Sequence, residues 1–203
     1  MALKIEQPNI LVVEGKEEDL FFEALIKHLK LQDIQIMPIG GKEKLRGNLK
    51  ALVQTPGFSE VIFLGVVRDA DTNPNHAFQS VRDALRAAGL PTPERPLQPV
   101  GEKPRVAILI LPGVDTAGTL EDLCLRAVAQ DPAMVCVENY FKCLEQMGLF
   151  LPYNMMSKAK VQVFLASRRK AGLRLGEAAQ AGYWPWETEA FEQVRNFLQQ
   201  ITS

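Results

Sequence analysis

Four short apolar runs, separated by segments of helical periodicity, constrain the fold of this chain more than any other feature. The runs cover residues 9–13, 34–39, 61–67 and 105–111. Three of them are apolar without alternation, which is typical of strands covered on both faces of a parallel sheet. The second run contains Pro38, and proline inside a sheet is confined to strand ends and edge strands.

Apolar residues at helical spacing fill the intervals between these runs. They predict helices over residues 19–30, 42–54 and 77–88, whereas the proline-rich stretch 92–103 is predicted to be a loop. The order β-α-β-α-β-α-β with short connections predicts an α/β fold. Its sheet is expected to be Rossmann-like and mostly parallel, with helices on both faces.

After the fourth run the pattern becomes helical. Candidate helices cover residues 119–129, 135–147, 158–170 and 189–201. We therefore predict an α/β domain over residues 1–130 and a C-terminal helical extension over residues 131–203. A chain of 203 residues suffices for one such domain with a packed extension, so we expect the two parts to form one compact unit.

Composition limits the classes of partner. The net charge is −1, so a nucleic-acid partner would need a local basic patch rather than a global basic field. No apolar run reaches the 18 residues of a membrane span, and the first residues carry charges where a signal peptide has its apolar core. We expect a cytoplasmic protein without a membrane partner, whose three cysteines are reduced and mostly buried.

Acidic residues follow two of the predicted strands. Glu14 comes directly after the first strand, and Asp69 and Asp71 follow the third. Functional crevices of parallel sheets lie outside the carboxyl ends of the strands, so we expect these carboxylates to converge. An all-oxygen ligand set favours Mg²⁺ or Mn²⁺ over zinc.

Each acid also has an explanation without metal. Glu14 could stabilise the next helix through its dipole, and DADTNPN is a good turn sequence. Further acids are candidates for the same crevice. Glu18 lies four residues after Glu14, and Glu121 or Asp115 follows the fourth strand, where Thr119 to Asp122 has the spacing of a capping box.

These acids and their surroundings resemble the Toprim domain, which occurs in topoisomerases, bacterial primases, recombination-repair proteins and OLD-family nucleases. The resemblance covers about residues 9–125, where VEG ends one strand and DxD ends another. The wider pattern is most similar to small stand-alone Toprim-like proteins related to the OLD family. It consists of VEGKEEDLFF, IGGKEKL, VVRDADTN, GTLEDLCL and SKAKVQVFLA.

The resemblance implies a Toprim-like fold and a set of site residues. Glu14 would act as general acid or base, and Lys42 would contact a phosphate. The implied metal ligands are Glu14, Glu18, Asp69, Asp71 and Glu121. OLD proteins carry an ATPase, whereas this sequence has no P-loop motif, so the resemblance implies a separate ATPase partner.

A basic stretch late in the chain is a candidate for nucleic-acid binding. Residues 146–176 contain no acid but six basic residues. The candidates for phosphate contacts are Lys158, Lys160, Arg168 and Arg169. The same charges could instead stabilise the end of a helix. Tyr183, Trp184 and Trp186 could stack on bases, but a packed turn around Pro185 is the favoured interpretation.

The sequence therefore predicts a Mg²⁺- or Mn²⁺-dependent nuclease, or a nuclease component, that acts on nucleic acid. Two alternatives remain. One is a non-catalytic Toprim-like module that binds nucleic acid or protein. The other is a nucleotide-sugar transferase that uses the DxD pair for Mn²⁺, although the small size of the chain and the glutamate at the strand end argue against it.

Overall fold

The sheet has four strands, all parallel, in a computed structural model that describes residues 4–202. The strands are β1 (Asn9–Val13), β2 (Ile34–Pro38), β3 (Phe63–Asp69) and β4 (Arg105–Leu111). Their order in the sheet is β2-β1-β3-β4. The predicted α/β class and parallel sheet are confirmed, and each strand lies within two residues of its predicted run.

Eight α-helices surround this sheet in the described residues. They are α1 (Lys16–His28), α2 (Leu45–Val53), α3 (Pro74–Ala87), α4 (Leu120–Ala127), α5 (Ala133–Gln146), α6 (Tyr153–Ala166), α7 (Leu175–Gln180) and α8 (Glu192–Ile201). Short 3₁₀ turns precede α2, β3 and α8. The loop predicted for residues 92–103 contains neither helix nor strand. The six-residue helix α7 escaped prediction.

The alternation of side chains along the strands explains why the runs are continuously apolar. Ile10 and Val12 of β1 face a buried layer formed with α2 and α3. Leu11 and Val13 face the opposite layer, which contains α1 and the helices of the extension. Because both faces are covered, both sets of side chains are apolar. The division at residue 130 stays a prediction.

The extension is packed into the core beside the sheet. Trp184 stacks on Phe164 with ring centroids 5.9 Å apart, and its indole N–H donates to the Leu175 carbonyl. Trp186 is buried against Phe21. The aromatic cluster is therefore structural at both tryptophans, in agreement with the favoured interpretation.

The cysteines form no disulfide, as expected. The prediction that they are mostly buried is wrong, because Cys136 and Cys143 lie on the outer side of α5 and only Cys124 is buried. Among residues 4–202, no helix combines the length and apolarity that a membrane crossing requires.

The contact between α7 and α1 depends on a glycine. A Cβ at Gly176 would lie 2.7 Å from both the Glu17 carbonyl oxygen and the Leu20 Cβ. We expect Gly176→Ala to lower the free energy of unfolding by about 1–3 kcal/mol through overpacking. Gly47→Ala is the matched control, because that exposed helix position has open space and alanine should stabilise it by about 0.5–1 kcal/mol. Urea melts followed by circular dichroism measure both, and equal stability of Gly176→Ala and wild type would contradict the tight contact.

Candidate functional site

The predicted acids lie where the direction of strand order reverses. The chain passes from β1 outward to β2, then returns to β3 on the other side of β1 and continues to β4. Parallel sheets bind ligands in the crevice at such a switch point, outside the carboxyl ends of the strands. Glu14 follows β1 directly, and Asp69 is the last residue of β3.

Glu14 faces an arginine that sequence reasoning missed. Val12 pairs with Val66, so the strand register sets Glu14 level with Arg68. Arg68 is only 9% exposed, and its Nε lies 3.8 Å from Glu14 Oε1. Neither atom has a hydrogen-bond partner in the described part of the chain, although another guanidinium nitrogen of Arg68 donates to Ser80 Oγ at 2.8 Å. Burial raises the pKa of Glu14, while the positive charge of Arg68 acts in the opposite direction.

Asp69 is at the centre of the carboxylate group. Its Oδ1 accepts a hydrogen bond from the backbone N–H of Leu120, the first residue of α4, at 3.0 Å. Burial raises the pKa of Asp69 well above its ordinary range. The negative charges of Glu18, Glu14, Glu121 and Asp71 raise it further. The structure therefore brings all five predicted carboxylates close enough to interact.

Glu18 reaches the cluster from the first turn of α1. Burial raises its pKa, and the charges of Glu14 and Glu121 add to this effect. Gly15, which precedes α1, has φ −154°, an extended conformation open to any residue. Glycine at this position leaves space for Glu18, because a Cβ there would lie 3.3 Å from Glu18 Oε2.

The start of α4 supplies the third side of the site. The predicted capping interaction is present, with Thr119 N donating to Asp122 Oδ2 at 2.8 Å. Thr119 Oγ1 donates to Glu121 Oε2 at 2.9 Å, which orients that carboxylate. From α6, Ser157 Oγ donates to the other oxygen of Asp122 at 2.6 Å. The extension is thus joined directly to the helix that carries Glu121.

Asp71 and Lys42 form the outer, exposed side. Lys42 Nζ donates to Asp71 Oδ2 at 2.7 Å, and this hydrogen bond raises the pKa of Lys42. Asp71 has φ +51°, which aspartate tolerates better than most residues, and its carbonyl accepts from Gly118 N. Asn73 caps α3 by accepting from His76 N, so DADTNPN is a turn and also carries the acids. Asp115 is exposed and is not among the charges with the largest effect on the pKa of Asp69.

The carboxylates lie near one another, but their side chains are not arranged as a metal-binding site. Within residues 4–202, no three His, Cys, Asp or Glu side chains are grouped so that they could hold a metal ion. Alternation along parallel strands explains this arrangement. Glu14 and Arg68 continue the rows that face α2 and α3, whereas Asp69 continues the row that faces α1 and α4. The set of candidate donors itself suits a hard cation, since every candidate is a carboxylate oxygen and Glu14 Oε1 has no partner among the described residues.

Comparison with known proteins assigns a family without a function. The sequence profile of the family described as "Protein of unknown function (DUF3226)" matches residues 8–203. The chain belongs to this family. No curated protein and no solved structure matches the chain.

In this DUF3226 member, the candidate basic residues divide into two pairs. Lys160 forms an ion pair with Glu138 at 2.7 Å, and Arg168 binds Asp131 through two nitrogens and lies over the Phe164 ring. Lys158 and Arg169 are exposed, and neither forms an ion pair within residues 4–202. A role of the four residues in nucleic-acid binding stays a prediction, and two of them are free to serve it.

Sequence reasoning missed several residues of the candidate site. Arg68 had a visible signal, because a charged residue directly before Asp69 interrupts an apolar strand. Ser80 and Ser157 had none, since each acts through a partner that only the fold brings near, and Asp122 was predicted only as part of the capping box.

Proposed function

We propose that this protein carries out Toprim-like phosphodiester chemistry that depends on Mg²⁺ or Mn²⁺, as a nuclease or nuclease component acting on nucleic acid. The observation that supports this most is the position of Asp69. It ends a central strand at the switch point, and four other carboxylates act on its charge. Carboxylates whose pKa values are raised by burial and by one another are concentrated at functional sites.

The proposed ligands are the inner carboxylates. Asp69, Glu18 and Glu121 interact with one another on the α1 and α4 side, and Glu14 and Asp71 border them. Divalent cations at such a site stabilise charge on the attacking and leaving oxygens of a phosphodiester. Glu18 and Glu121 are partly exposed, so both have room to turn toward a shared ion.

Glu14 is the proposed proton carrier. Its carboxyl group is mostly buried, and burial raises its pKa. A carboxyl group with a raised pKa can donate a proton when it is protonated and accept one when it is ionised. Arg68 lies close enough to orient it, and Ser80 holds Arg68 in place. The two atoms without partners, Glu14 Oε1 and Arg68 Nε, are where a substrate oxygen or a water would complete the hydrogen bonding.

A neighbouring cleft suits the backbone of a nucleic acid. It measures about 320 Å³ between the start of α2 and α3 and is lined in part by Lys42, Arg46 and His76. Lys42 joins it to the acidic crevice through Asp71. A phosphate that displaced Asp71 from Lys42 would free that carboxylate for the cation, which links substrate binding to assembly of the site.

Lys158 and Arg169, the two candidate basic residues without an ion pair within residues 4–202, provide a prediction about nucleic-acid binding. We expect Lys158→Glu with Arg169→Glu to weaken single-stranded DNA binding at least about 10-fold at low salt and to flatten its salt dependence. The slope of log affinity against log salt should fall by about 1.4, at about 0.7 for each lost phosphate contact. Fluorescence anisotropy across a salt series measures both. Lys27→Glu with Lys50→Glu, an equal charge change at exposed positions elsewhere, is the control, and equal slopes in the two variants would contradict the assignment.

The direct test of the function is nicking of supercoiled and single-stranded DNA in a series of divalent metals. We expect strand cleavage with Mn²⁺ or Mg²⁺ and none with a chelator. The ion pair between Lys42 and Asp71 favours the alternative of a binding module, since it occupies one proposed ligand. DNA binding without cleavage in every metal would support that alternative. The separate ATPase implied by the resemblance remains a prediction.

A further inference from the structure

The end of the hairpin formed by α5 and α6 exposes an unusual amount of apolar surface. Seven of the nine large hydrophobic side chains that are exposed within residues 4–202 fall between positions 140 and 155. We call them the apolar hairpin patch. They are Tyr140, Met147, Leu149, Phe150, Leu151, Tyr153 and Met155.

The size of this patch exceeds what a monomer normally shows. Its side chains are between 38% and 88% exposed. Aromatic side chains present about 150–250 Å² each, so Tyr140, Phe150 and Tyr153 alone expose on the order of 300–500 Å², and the four Met and Leu side chains add to this area. The largest apolar patch on a typical monomer is about 300–600 Å², whereas each partner of a standard protein interface contributes about 800 Å².

The part of the patch from Met147 to Met155 is also free of charge. Residues 146–157 contain no Asp, Glu, Lys or Arg. In a two-fold dimer the same surface meets itself, so any charge near the axis would face a like charge. An uncharged surface avoids that repulsion, and it offers a differently charged partner no complementary ion pair.

The shape of the patch provides both a groove and a projection. A groove of about 600 Å³ lies between α5 and α6, lined by Tyr140, Phe141, Leu144 and Val163 among others. Tyr153, at the start of α6, is 88% exposed and is not part of the groove lining. A two-fold axis between them would seat Tyr153 of each copy in the groove of the other, which is the reciprocal contact of an isologous interface.

We propose that the apolar hairpin patch is the interface through which two copies of this chain form a homodimer. The proposal is independent of the chemistry at the sheet edge. Sedimentation equilibrium of the full chain, from about 1 to about 100 µM, should give about twice the 22.6 kDa chain mass. Phe150→Asp with Tyr153→Asp should raise the dissociation constant at least about 100-fold, since aromatic residues dominate interface energies.

Ile62→Asp is the matched control, because Ile62 is 52% exposed and lies outside the patch, just before β3. It should leave the dimer intact. A wild type that stays monomeric at about 100 µM would overturn the proposal, as would a double variant that dimerises like wild type.

A second measurement does not depend on the variant folding. Amide hydrogen exchange of wild type should slow with rising concentration at residues 147–156, where the dimer excludes water. Protection that rises elsewhere, or nowhere, would exclude this surface as the interface.

Discussion

Glu14→Gln is expected to lower the rate of Mn²⁺- or Mg²⁺-dependent nicking at least about 100-fold, because positioned proton transfer contributes about 10²- to 10⁴-fold to catalysis. Glutamine keeps the size of the side chain, and its carbonyl oxygen can still face Arg68. It cannot take or give the proton. The measurement is the single-turnover nicking rate at saturating metal, together with the affinity for DNA, which should not change.

Glu23→Gln is the matched control for this result. Glu23 lies on the exposed side of α1, where it accepts a hydrogen bond from Gln180, and it should be dispensable for cleavage. Nicking by Glu14→Gln at the wild-type rate would show that Glu14 carries no proton, and that cleavage arises elsewhere or from a contaminant. Loss of DNA binding together with activity would indicate a structural role instead.

Removal of charge at Asp69 is expected to stabilise the metal-free protein. The pKa of Asp69 is raised in the folded state, so the folded protein binds more protons than the unfolded chain. Stability is therefore lost as the pH rises from about 3.9, the ordinary value, through the raised pKa. Asp69→Asn should remove this loss, and asparagine can still accept the hydrogen bond from Leu120 N.

The expected gain is largest at neutral and alkaline pH and small near pH 4. Each pKa unit corresponds to about 1.4 kcal/mol, and each kcal/mol to a rise in Tm of about 2–4 °C in a chain of this size. Thermal melts in chelator between about pH 4 and pH 8 measure it. Asp115→Asn, at an exposed loop position with φ +62°, should not change the Tm at any pH. A destabilised Asp69→Asn at pH 8 would mean that the charge of Asp69 is already compensated.

Asp69, together with Asp71, should also determine metal binding. Calorimetric titration of wild type with Mn²⁺ should give a binding isotherm, and saturation at about 100 times the Kd should stabilise the fold by about 2.7 kcal/mol. Asp69→Asn with Asp71→Asn should abolish both effects. Unchanged Mn²⁺ binding in that double variant would show that the DxD pair serves only as a turn.

Metal binding at this edge would require side chains to move. Glu14 and Asp69 belong to rows that face opposite sides of the sheet, and Asp71 is paired with Lys42. Calorimetry also tests this arrangement, since release of Asp71 from Lys42 predicts that Lys42→Ala binds Mn²⁺ at least as tightly as wild type. A phosphate-bearing substrate that binds Lys42 would release Asp71 in the same way.

The sequence alone determined the parallel sheet and the residues at its carboxyl edge. A strand that helices cover on both faces has apolar residues at nearly every position, so a continuously apolar run predicts such a strand. Strands β1 and β4 have the predicted bounds. The positions of Glu14 and Asp69 followed from the same pattern, because the residue after a buried strand emerges at the crevice. These features are local, so a single stretch of sequence contains all the information that they require.

Only the tertiary structure decided which charges are paired. The partners of Lys160 and Arg168 are Glu138 and Asp131, which come from outside the acid-free stretch and meet it when α5 and α6 pack together. Helix α7 was missed because six residues give too little periodicity, and its stability comes from contact with α1 at Gly176. Strand alternation likewise placed Glu14 and Asp69 in rows that face opposite sides of the sheet, although the two carboxylates remain close enough to interact. Pairing and burial depend on residues distant in sequence, and the fold alone brings those residues within reach of one another.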